Sequence, residues 1–240
     1  MSLKDKVVVV TGSSSGIGEA IARELADGGC KVMLAARREE KLKSLSEELG
    51  DGVAYQVTDV TDDKQMQKMA QATIDRFGKV DVLVNNAGIM PVSPLIDLKL
   101  DDWNKAIDIN IRGVLHGIAA VLPHMSDRGS GHIINIGSIA SLHTAPNFAV
   151  YCATKFAVKA ISECLRKEML GKVRVTIIYP GAVESELVES SNDEQTSKQV
   201  NSSFDFMSPS AISQAVRYAI AQPDEVSVNE IVVRPSTEEF

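Results

Sequence analysis

A tyrosine and a lysine stand four residues apart in Tyr151-Cys152-Ala153-Thr154-Lys155. The stretch opens a helical pattern, so the spacing predicts both side chains on one helix face, one turn apart. A free tyrosine has a pKa of about 10, and acid–base work near neutrality needs a shift of about three units, or roughly 4 kcal/mol. An ammonium about 4 Å away supplies about 4 kcal/mol at an effective dielectric constant of 20. The pair could therefore move a proton, although tyrosine and lysine also meet at this spacing on ordinary exposed helices.

Glycines follow the first predicted strand in Thr11-Gly12-Ser13-Ser14-Ser15-Gly16-Ile17-Gly18 and lead into the first predicted helix. Glycine permits a tight turn and lets a pyrophosphate approach the helix N-terminus, where free N–H groups and the helix dipole favour anions. The spacing is G-x-x-x-G-x-G rather than the usual G-x-G-x-x-G. A tight turn without a ligand is the alternative. The position at the start of an alternating α/β chain favours a dinucleotide site.

The end of the second predicted strand bears on the choice of cofactor. An NAD site typically carries an acid about 20 residues after the glycines, where it binds the ribose 2′-hydroxyl. Here the strand ends Ala35-Ala36-Arg37-Arg38, and the first acid is Glu39. Two solvated arginines at a helix start are the alternative, but cations are poorly placed at a helix N-terminus. The arginines therefore predict a site for the 2′-phosphate of NADP(H).

Ser138 follows a predicted strand, His132–Ile136. It should lie at the carboxyl edge of a parallel sheet, where open α/β sheets bind their ligands. An ordinary loop or cap serine is the alternative.

Short apolar runs alternate with helical patterns along the chain, which is typical of βαβ units and a parallel sheet. Strands are predicted at Val7–Val10, Lys31–Ala36, Val53–Val57, Val82–Asn85, His132–Ile136, Val173–Tyr179 and Glu230–Val233. Helices are predicted at Ile17–Asp27, Glu39–Leu49, Asp63–Phe77, Asp101–Met125, Tyr151–Leu170 and Pro209–Ala221. The strands are rich in Val and Ile, as strands covered on both faces are. The expected fold is a single α/β domain over residues 1–240: a Rossmann-type, doubly wound, mainly parallel seven-stranded sheet with helices on both faces.

One polar stretch, Glu184 to Met207, interrupts this alternation and lacks strong periodicity. Irregular segments of this length in a compact domain are usually functional lids or disordered. We expect residues 184–207 to form a substrate lid.

Composition narrows the partners. A net charge of −7 and a pI of about 5.2 argue against a nucleic-acid-binding face. The three cysteines form no C-x-x-C pair, which indicates a reducing compartment without disulfides or a cysteine metal site. The N-terminus does not have the pattern of a signal peptide, and no uninterrupted apolar run is long enough for a membrane span. The expectation is a cytoplasmic protein without a nucleic-acid, membrane or metal partner.

Taken together, the motifs resemble the classical short-chain dehydrogenase/reductases over nearly the whole chain. The resemblance is carried in order by the glycine motif Gly12–Gly18, Asp59-Val60, Asn85-Asn86-Ala87-Gly88, Asn110 in Ile109-Asn110-Ile111, Ser138, Tyr151 with Lys155, and Pro180-Gly181. So many ordered motifs make the resemblance specific.

The resemblance implies a nicotinamide cofactor and assigns residues to it. The glycines should shape the phosphate turn, Asp59 and Val60 contact the adenine, and Pro180 to Ser185 line the nicotinamide. The residues expected to contact NADP(H) are Gly12, Ser14, Ser15, Gly16, Ile17, Gly18, Arg37, Arg38, Asp59, Val60, Asn86, Ala87, Gly88, Tyr151, Lys155, Pro180, Gly181, Val183 and Ser185.

The resemblance also implies a catalytic set. Ser138 should hold the substrate carbonyl, Tyr151 should donate or accept the proton, and Lys155 should lower the pKa of Tyr151 and bind the nicotinamide ribose. Asn110 should hold a water that connects Lys155 to solvent. The implied activity is hydride transfer between NADP(H) and a small carbonyl or secondary alcohol substrate.

Two positions depart from the family pattern. Ser185 stands where the family often has threonine, and it keeps the hydroxyl. Ser15 stands where many NADP-preferring members have a basic residue, which leaves Arg37, with Arg38 in support, to select the phosphate. The short C-terminal end Asn229–Pro235 and the small lid look like the 3-hydroxy acid dehydrogenase and clavulaldehyde reductase relatives.

Two other functions fit the same fold. A non-catalytic NADP(H)-binding regulator is the main alternative, but such proteins tend to lose part of the Asn, Ser, Tyr and Lys set, which this chain keeps. An epimerase or dehydratase normally needs a longer C-terminal substrate domain. The apolar character of Asp101–Met125 and Tyr151–Leu170, together with the family resemblance, further predicts a homo-oligomer, a tetramer or a dimer.

Overall fold

A parallel sheet forms the centre of the molecule in the computed structural model, which describes residues 3–187 and 205–237. Within these residues its strands are β1 (Val7–Thr11), β2 (Lys31–Ala36), β3 (Val53–Val57), β4 (Val82–Asn85), β5 (His132–Ile136), β6 (Arg174–Pro180) and β7 (Glu230–Val233). They pair in parallel in the order β3-β2-β1-β4-β5-β6-β7. The predicted seven-stranded Rossmann-type sheet is confirmed, with strand ends within one residue of expectation.

Helices connect the strands across both faces. In the described residues they are α1 (Gly16–Asp27), α2 (Glu39–Leu49), α3 (Asp63–Phe77), α4 (Leu100–Ile107), α5 (Gly113–Arg128), α6 (Ala149–Glu168) and α7 (Ser210–Ile220). The prediction of one continuous α-helix over Asp101–Met125 was wrong in one respect, because a π-helical turn, Asp108–Arg112, separates α4 from α5. Such turns insert an extra residue into the helical ladder and are frequent at functional sites.

The two faces of the sheet have separate cores because side chains alternate along each strand. In β1, Val8 and Val10 pack with α1, α2 and α7, whereas Val9 packs with α3, α5 and α6. Each of these three valines is fully buried. Burial on both faces explains why the strands read as continuous apolar runs rather than alternating ones.

The helical stretch Leu100–Arg128 is apolar along much of its length. It has 29 residues and contains an 18-residue window with a mean hydropathy of 1.2, so by length and composition alone it could cross a membrane. Core helices of soluble proteins pass the same test, and Val114, Val121 and Met125 pack here in the core beneath the sheet. Packing therefore accounts for the buried part of this stretch.

The strand order reverses between β1 and β4, because the chain winds outward through β2 and β3 and then returns. A crevice forms at the carboxyl ends of the strands where two doubly wound halves diverge in this way. The glycine motif after β1 and the asparagines ending β4 meet at this point.

A buried histidine at the opposite end of the sheet makes stability sensitive to acid. His132 is 2% exposed, and its Nε2 lies 2.8 Å from the Thr176 Oγ. Burial holds the pKa of His132 well below its usual value of about 6.5. Below about pH 6.5, His132 therefore binds a proton in the unfolded chain but stays neutral in the folded one. The free energy of unfolding consequently falls as the pH falls.

We expect His132→Gln to reduce this acid sensitivity by up to about 1.4 kcal/mol per pH unit below pH 6.5. Urea unfolding of both proteins at pH 7, 6 and 5 measures the difference. Equal pH slopes for the two proteins would contradict the assignment, whatever their absolute stabilities.

Candidate active site

A cleft of about 390 Å³ opens at the carboxyl ends of β1, β4 and β5. With the exception of Asn110, every residue predicted for the cofactor or for catalysis lines this cleft. Sequence reasoning placed two further lining residues, Glu186 and Leu187, in the predicted lid and gave no role to Thr58, Ile89, Ile109, Ile136 and Gly137. The volume lies in the range of small-molecule sites.

The glycine turn leaves the N-terminus of α1 accessible from the cleft. Gly12 has a φ of +66°, a conformation that favours glycine. A Cβ at Gly18 would collide with the carbonyl oxygen of Gly12 and the side-chain amide of Asn86. The N-cap residue Ser15 makes no side-chain hydrogen bond to the helix, so no cap occupies the amides of the first turn. An anion can bind to these amides.

Thr11 and Asn86 fix the turn to β4. The Asn86 Nδ2 donates to the Thr11 carbonyl at 2.9 Å, and the backbone N–H groups of Asn86 and Ala87 donate to the Thr11 hydroxyl at 3.0 and 3.1 Å. These bonds join the glycine turn after β1 to the end of β4. Thr11 was not singled out from the sequence, although it stands directly before the glycine motif.

Arg38 is the arginine that reaches the glycine turn. Its Nε donates to the Ser14 Oγ at 3.0 Å, and its Nη2 donates to the Ser15 Oγ at 2.6 Å. Its Nη1 forms an ion pair with Glu186 at 2.9 Å. Arg37 lines the cleft. Arg38 thus makes the contacts to the turn from the N-cap position of α2, and the expectation that Arg37 selects the phosphate with Arg38 in support stays a prediction.

Tyr151 and Lys155 lie on one face of α6, as their spacing predicts. Both are buried, with exposed fractions of 4% and 7%. The Lys155 Nζ lies 5.8 Å from the centre of the Tyr151 ring and donates to the carbonyl oxygen of Ile136, the last residue of β5, at 3.0 Å. This bond ties α6 to the end of the central sheet.

Burial controls the ionisation of the pair in the free protein. It raises the pKa of Tyr151 to about 12, although a hydrogen bond with Ser138 acts in the opposite direction. It lowers the pKa of Lys155 to about 8. Desolvation is thus the largest cause of the Tyr151 shift in the ligand-free protein, and the expected lowering of its pKa by Lys155 stays a prediction for the cofactor-bound state. Tyr151 is protonated at neutral pH and can act as an acid.

Asn110 lies behind the cleft in the π-helical turn and is 1% exposed. Its Nδ2 donates to the Ile89 carbonyl at 2.9 Å and to the Thr154 hydroxyl at 3.0 Å, and its Oδ1 accepts from the Ile89 N–H at 2.9 Å. A Cβ at Gly88 would lie 3.3 Å from the Asn110 Oδ1 and 3.8 Å from the Lys155 Nζ. Gly88 therefore lies between Asn110 and Lys155, and it has no side chain that would press against either residue.

Thr154 connects these residues and was missed by sequence reasoning. It is 1% exposed, and its hydroxyl donates to the Tyr151 carbonyl at 2.8 Å while accepting from Asn110. Its position directly before the lysine was the available signal. The link holds the start of α6 against the π-helical turn.

Ser138 caps the short 3₁₀ turn Ile139–Ser141 after β5. Its Oγ accepts from the Ala140 N–H at 3.1 Å, and the residue lines the cleft. Because its hydroxyl also bonds with Tyr151, both O–H groups can converge on one substrate oxygen.

The predicted lid lies mostly outside the described residues, since residues 188–204 are not among them. Its two ends are described, and they are paired. The Glu184 N–H donates to the Met207 carbonyl, and the Met207 N–H donates to the Ala182 carbonyl, each at 3.0 Å. The segment therefore leaves and returns at one point beside the cleft.

Comparison with known proteins identifies the family. Residues 6–196 match the family described as short chain dehydrogenase. The chain belongs to the short-chain dehydrogenase/reductase family. The solved relatives of this family share its Rossmann-type fold.

Individual relatives of this dehydrogenase/reductase cover it almost completely. An uncharacterised oxidoreductase of Staphylococcus saprophyticus is 46% identical over 99% of this chain and 98% of the relative. The closed form of a serine dehydrogenase complexed with NADP⁺ has a TM-score of 0.92 and 34% identity, over 98% of this chain and 96% of the other. A short-chain dehydrogenase/reductase of Burkholderia phymatum in complex with NAD has a TM-score of 0.88 and 27% identity, over 97% and 90%.

Proposed function

We propose that this protein transfers a hydride between NADP(H) and a small carbonyl or secondary alcohol substrate. The observation that carries the proposal is a single cleft with two chemical ends. Tyr151, Lys155 and Ser138 lie at one end, and Arg38 with the glycine turn lies at the other. When bound, the cofactor supplies or takes up the hydride at the substrate carbon.

In the reducing direction, the Tyr151 hydroxyl donates a proton to the substrate oxygen while the carbon receives the hydride. The Ser138 hydroxyl donates a hydrogen bond to the same oxygen and stabilises the negative charge that develops there. Since burial keeps Tyr151 protonated at neutral pH, the proton is available when it is needed. In the oxidising direction the same hydroxyl must first lose its proton.

Lys155 assists this proton transfer from within the protein. Its pKa of about 8 leaves the side chain mainly charged at neutral pH. The ammonium has two N–H groups beyond the bond to Ile136. We propose that these bind the hydroxyls of the nicotinamide ribose and favour the ionised form of Tyr151 once the cofactor is present.

The choice of NADP(H) rests on the end of β2. Solved relatives carry either NADP⁺ or NAD, so family membership supports a nicotinamide dinucleotide without selecting one. Ala36 stands where an acidic residue would repel a 2′-phosphate. Arg38 provides a guanidinium that is already oriented by its hydrogen bonds to Ser14 and Ser15. Such a group favours a phosphate through charge-assisted bonds.

We propose 3-hydroxy acids as the first substrate class to test. Serine, the substrate named for the solved relative, is itself a 3-hydroxy acid, and the lid and the segment Asn229–Pro235 resemble those of 3-hydroxy acid dehydrogenases. Aldehydes and ketones form the second group of the panel.

A turnover assay decides between an enzyme and a non-catalytic regulator. NADPH absorbance should fall with at least one aldehyde or ketone, or rise from NADP⁺ with a 3-hydroxy acid, at a rate above 1 per minute. Tight NADPH binding without turnover of any member of the panel would instead favour the regulator.

Exposed apolar side chains on α4, α5 and α6 support an oligomer. Leu100, Ile107, Leu115 and Phe156 are 59%, 38%, 43% and 40% exposed in the single chain. We propose a homo-oligomer, a tetramer by family resemblance, that covers them. Sedimentation velocity at micromolar concentration should show a species of about four chain masses. A monomer of 25.9 kDa would contradict the proposal.

A further inference from the structure

The carboxylate of Glu186 forms an ion pair with the Arg38 guanidinium, which is the group proposed to bind the cofactor 2′-phosphate. Glu186 begins the segment after Ser185, far along the chain from Arg38, and its Oε2 lies 2.9 Å from the Arg38 Nη1. The other two sides of the guanidinium bond to Ser14 and Ser15. All four residues line the cofactor cleft.

The backbone holds Glu186 in this position. A Cβ at Gly16 would lie 3.3 Å from the Ser185 Cβ, so residues 185 and 186 pass directly over the glycine turn. Downstream, the Ser185 hydroxyl accepts from the Leu187 N–H at 3.4 Å. The ion pair therefore joins a segment that other contacts also place over the turn.

The Glu186 carboxylate is surrounded by groups that stabilise a negative charge. Arg38, followed by the Ser15 hydroxyl, lowers the pKa of Glu186, so the group is ionised at neutral pH. A 2′-phosphate carries between 1.5 and 2 negative charges, by the general behaviour of phosphate monoesters, and prefers the same guanidinium and hydroxyl donors. The two anions repel each other wherever both are present.

We propose that Glu186 is a selectivity residue that competes with the cofactor 2′-phosphate for Arg38. The inference rests on the proposed use of NADP(H). The phosphate must break or share the ion pair, whereas NAD(H), which lacks this phosphate, leaves it intact. Glu186 thus weakens binding of NADP(H) and reduces the preference for NADP(H) over NAD(H) that Arg38 creates.

The test compares dissociation constants of wild type and Glu186→Gln by isothermal titration calorimetry. The probes are NADP⁺ and 2′,5′-ADP, which carry the phosphate, and NAD⁺, which does not. Glu186→Gln should tighten binding of both phosphate-bearing probes by about threefold to tenfold, the range of one half-exposed ion pair and one removed repulsion. NAD⁺ binding should stay within about twofold of wild type, in line with its missing phosphate.

Two further variants separate a direct contact from general electrostatics. Glu39→Gln removes the same charge from an exposed position one residue after Arg38 and should change no constant by more than about twofold. In an Arg38→Ala background, Glu186→Gln should have a smaller effect on NADP⁺, because the shared partner is gone and only the repulsion between the two anions remains.

The outcomes distinguish failure of the role proposed for Glu186 from failure of the proposed use of NADP(H). If wild type prefers NADP⁺ and Glu186→Gln leaves that binding unchanged, or alters NAD⁺ binding equally, the role of Glu186 is wrong while the cofactor proposal stands. If wild type binds NAD⁺ more tightly than NADP⁺, the cofactor proposal is overturned, and if Glu186→Gln then also leaves NADP⁺ binding unchanged, the role of Glu186 is overturned with it.

Discussion

Tyr151→Phe is expected to abolish measurable turnover while NADPH binding stays nearly intact. The ring of Tyr151 is buried in the cleft, and phenylalanine retains its packing but has no proton to transfer. A positioned acid or base contributes about 10²- to 10⁴-fold to a rate, so a loss of that size in kcat is expected. Steady-state kinetics and NADPH fluorescence titration measure the two quantities separately.

A matched control is Tyr218→Phe, which removes the same hydroxyl from a side chain 57% exposed on α7. It should leave kcat unchanged. Retention of most of the activity by Tyr151→Phe would contradict the assignment of the proton donor. A parallel loss of NADPH binding would show that the substitution damages the site as a whole.

The second large effect concerns cofactor preference. Replacing Ala36 with Asp and Arg38 with Ala should shift the ratio of kcat/KM for NADPH over NADH toward NADH. Loss of the guanidinium removes a charge-assisted bond worth about 1.5–3 kcal/mol, which corresponds to about a tenfold to hundredfold change. The introduced carboxylate repels the 2′-phosphate and can accept a hydrogen bond from a ribose 2′-hydroxyl. The measurement is this ratio in wild type and in the double variant.

Arg37→Ala serves as the comparison, because Arg37 lines the same cleft but Arg38 makes the bonds to Ser14 and Ser15. It should move the ratio less than Arg38→Ala does. A wild type that favours NADH, or an unchanged ratio in the double variant, would refute the interpretation of this strand end. The assignment to the oxidoreductase family would remain.

Sequence reasoning placed the strands accurately because their signal is local. Runs such as Val7–Val10 are apolar at every position, and buried parallel strands require this. The glycine motif was similarly informative, since tight backbone approach at Gly18 excludes every other side chain. Family resemblance added the order of the catalytic residues, and the structure brings Ser138, Tyr151 and Lys155 into one cleft.

Contacts between distant segments could not be predicted in this way. Arg37 and Arg38 are identical in type and adjacent, so only the direction of each side chain separates their roles. Glu186 meets Arg38 across 148 positions of the chain, and no local pattern marks that pairing. Within the π-helical turn Asp108–Arg112, Asn110 bonds to the backbone of Ile89, which is again a contact between separate segments.

The buried ammonium of Lys155 links cofactor binding to proton uptake. In the free protein its pKa is about 8, because burial disfavours the charged form. Ribose hydroxyls that accept hydrogen bonds favour the charged form and raise that pKa. In the proposed complex Lys155 therefore keeps its proton near pH 8 and above more often than in the free protein, and this contribution to cofactor affinity declines as the solution becomes more alkaline. The heat of binding in this range depends on the ionisation enthalpy of the buffer that supplies the proton.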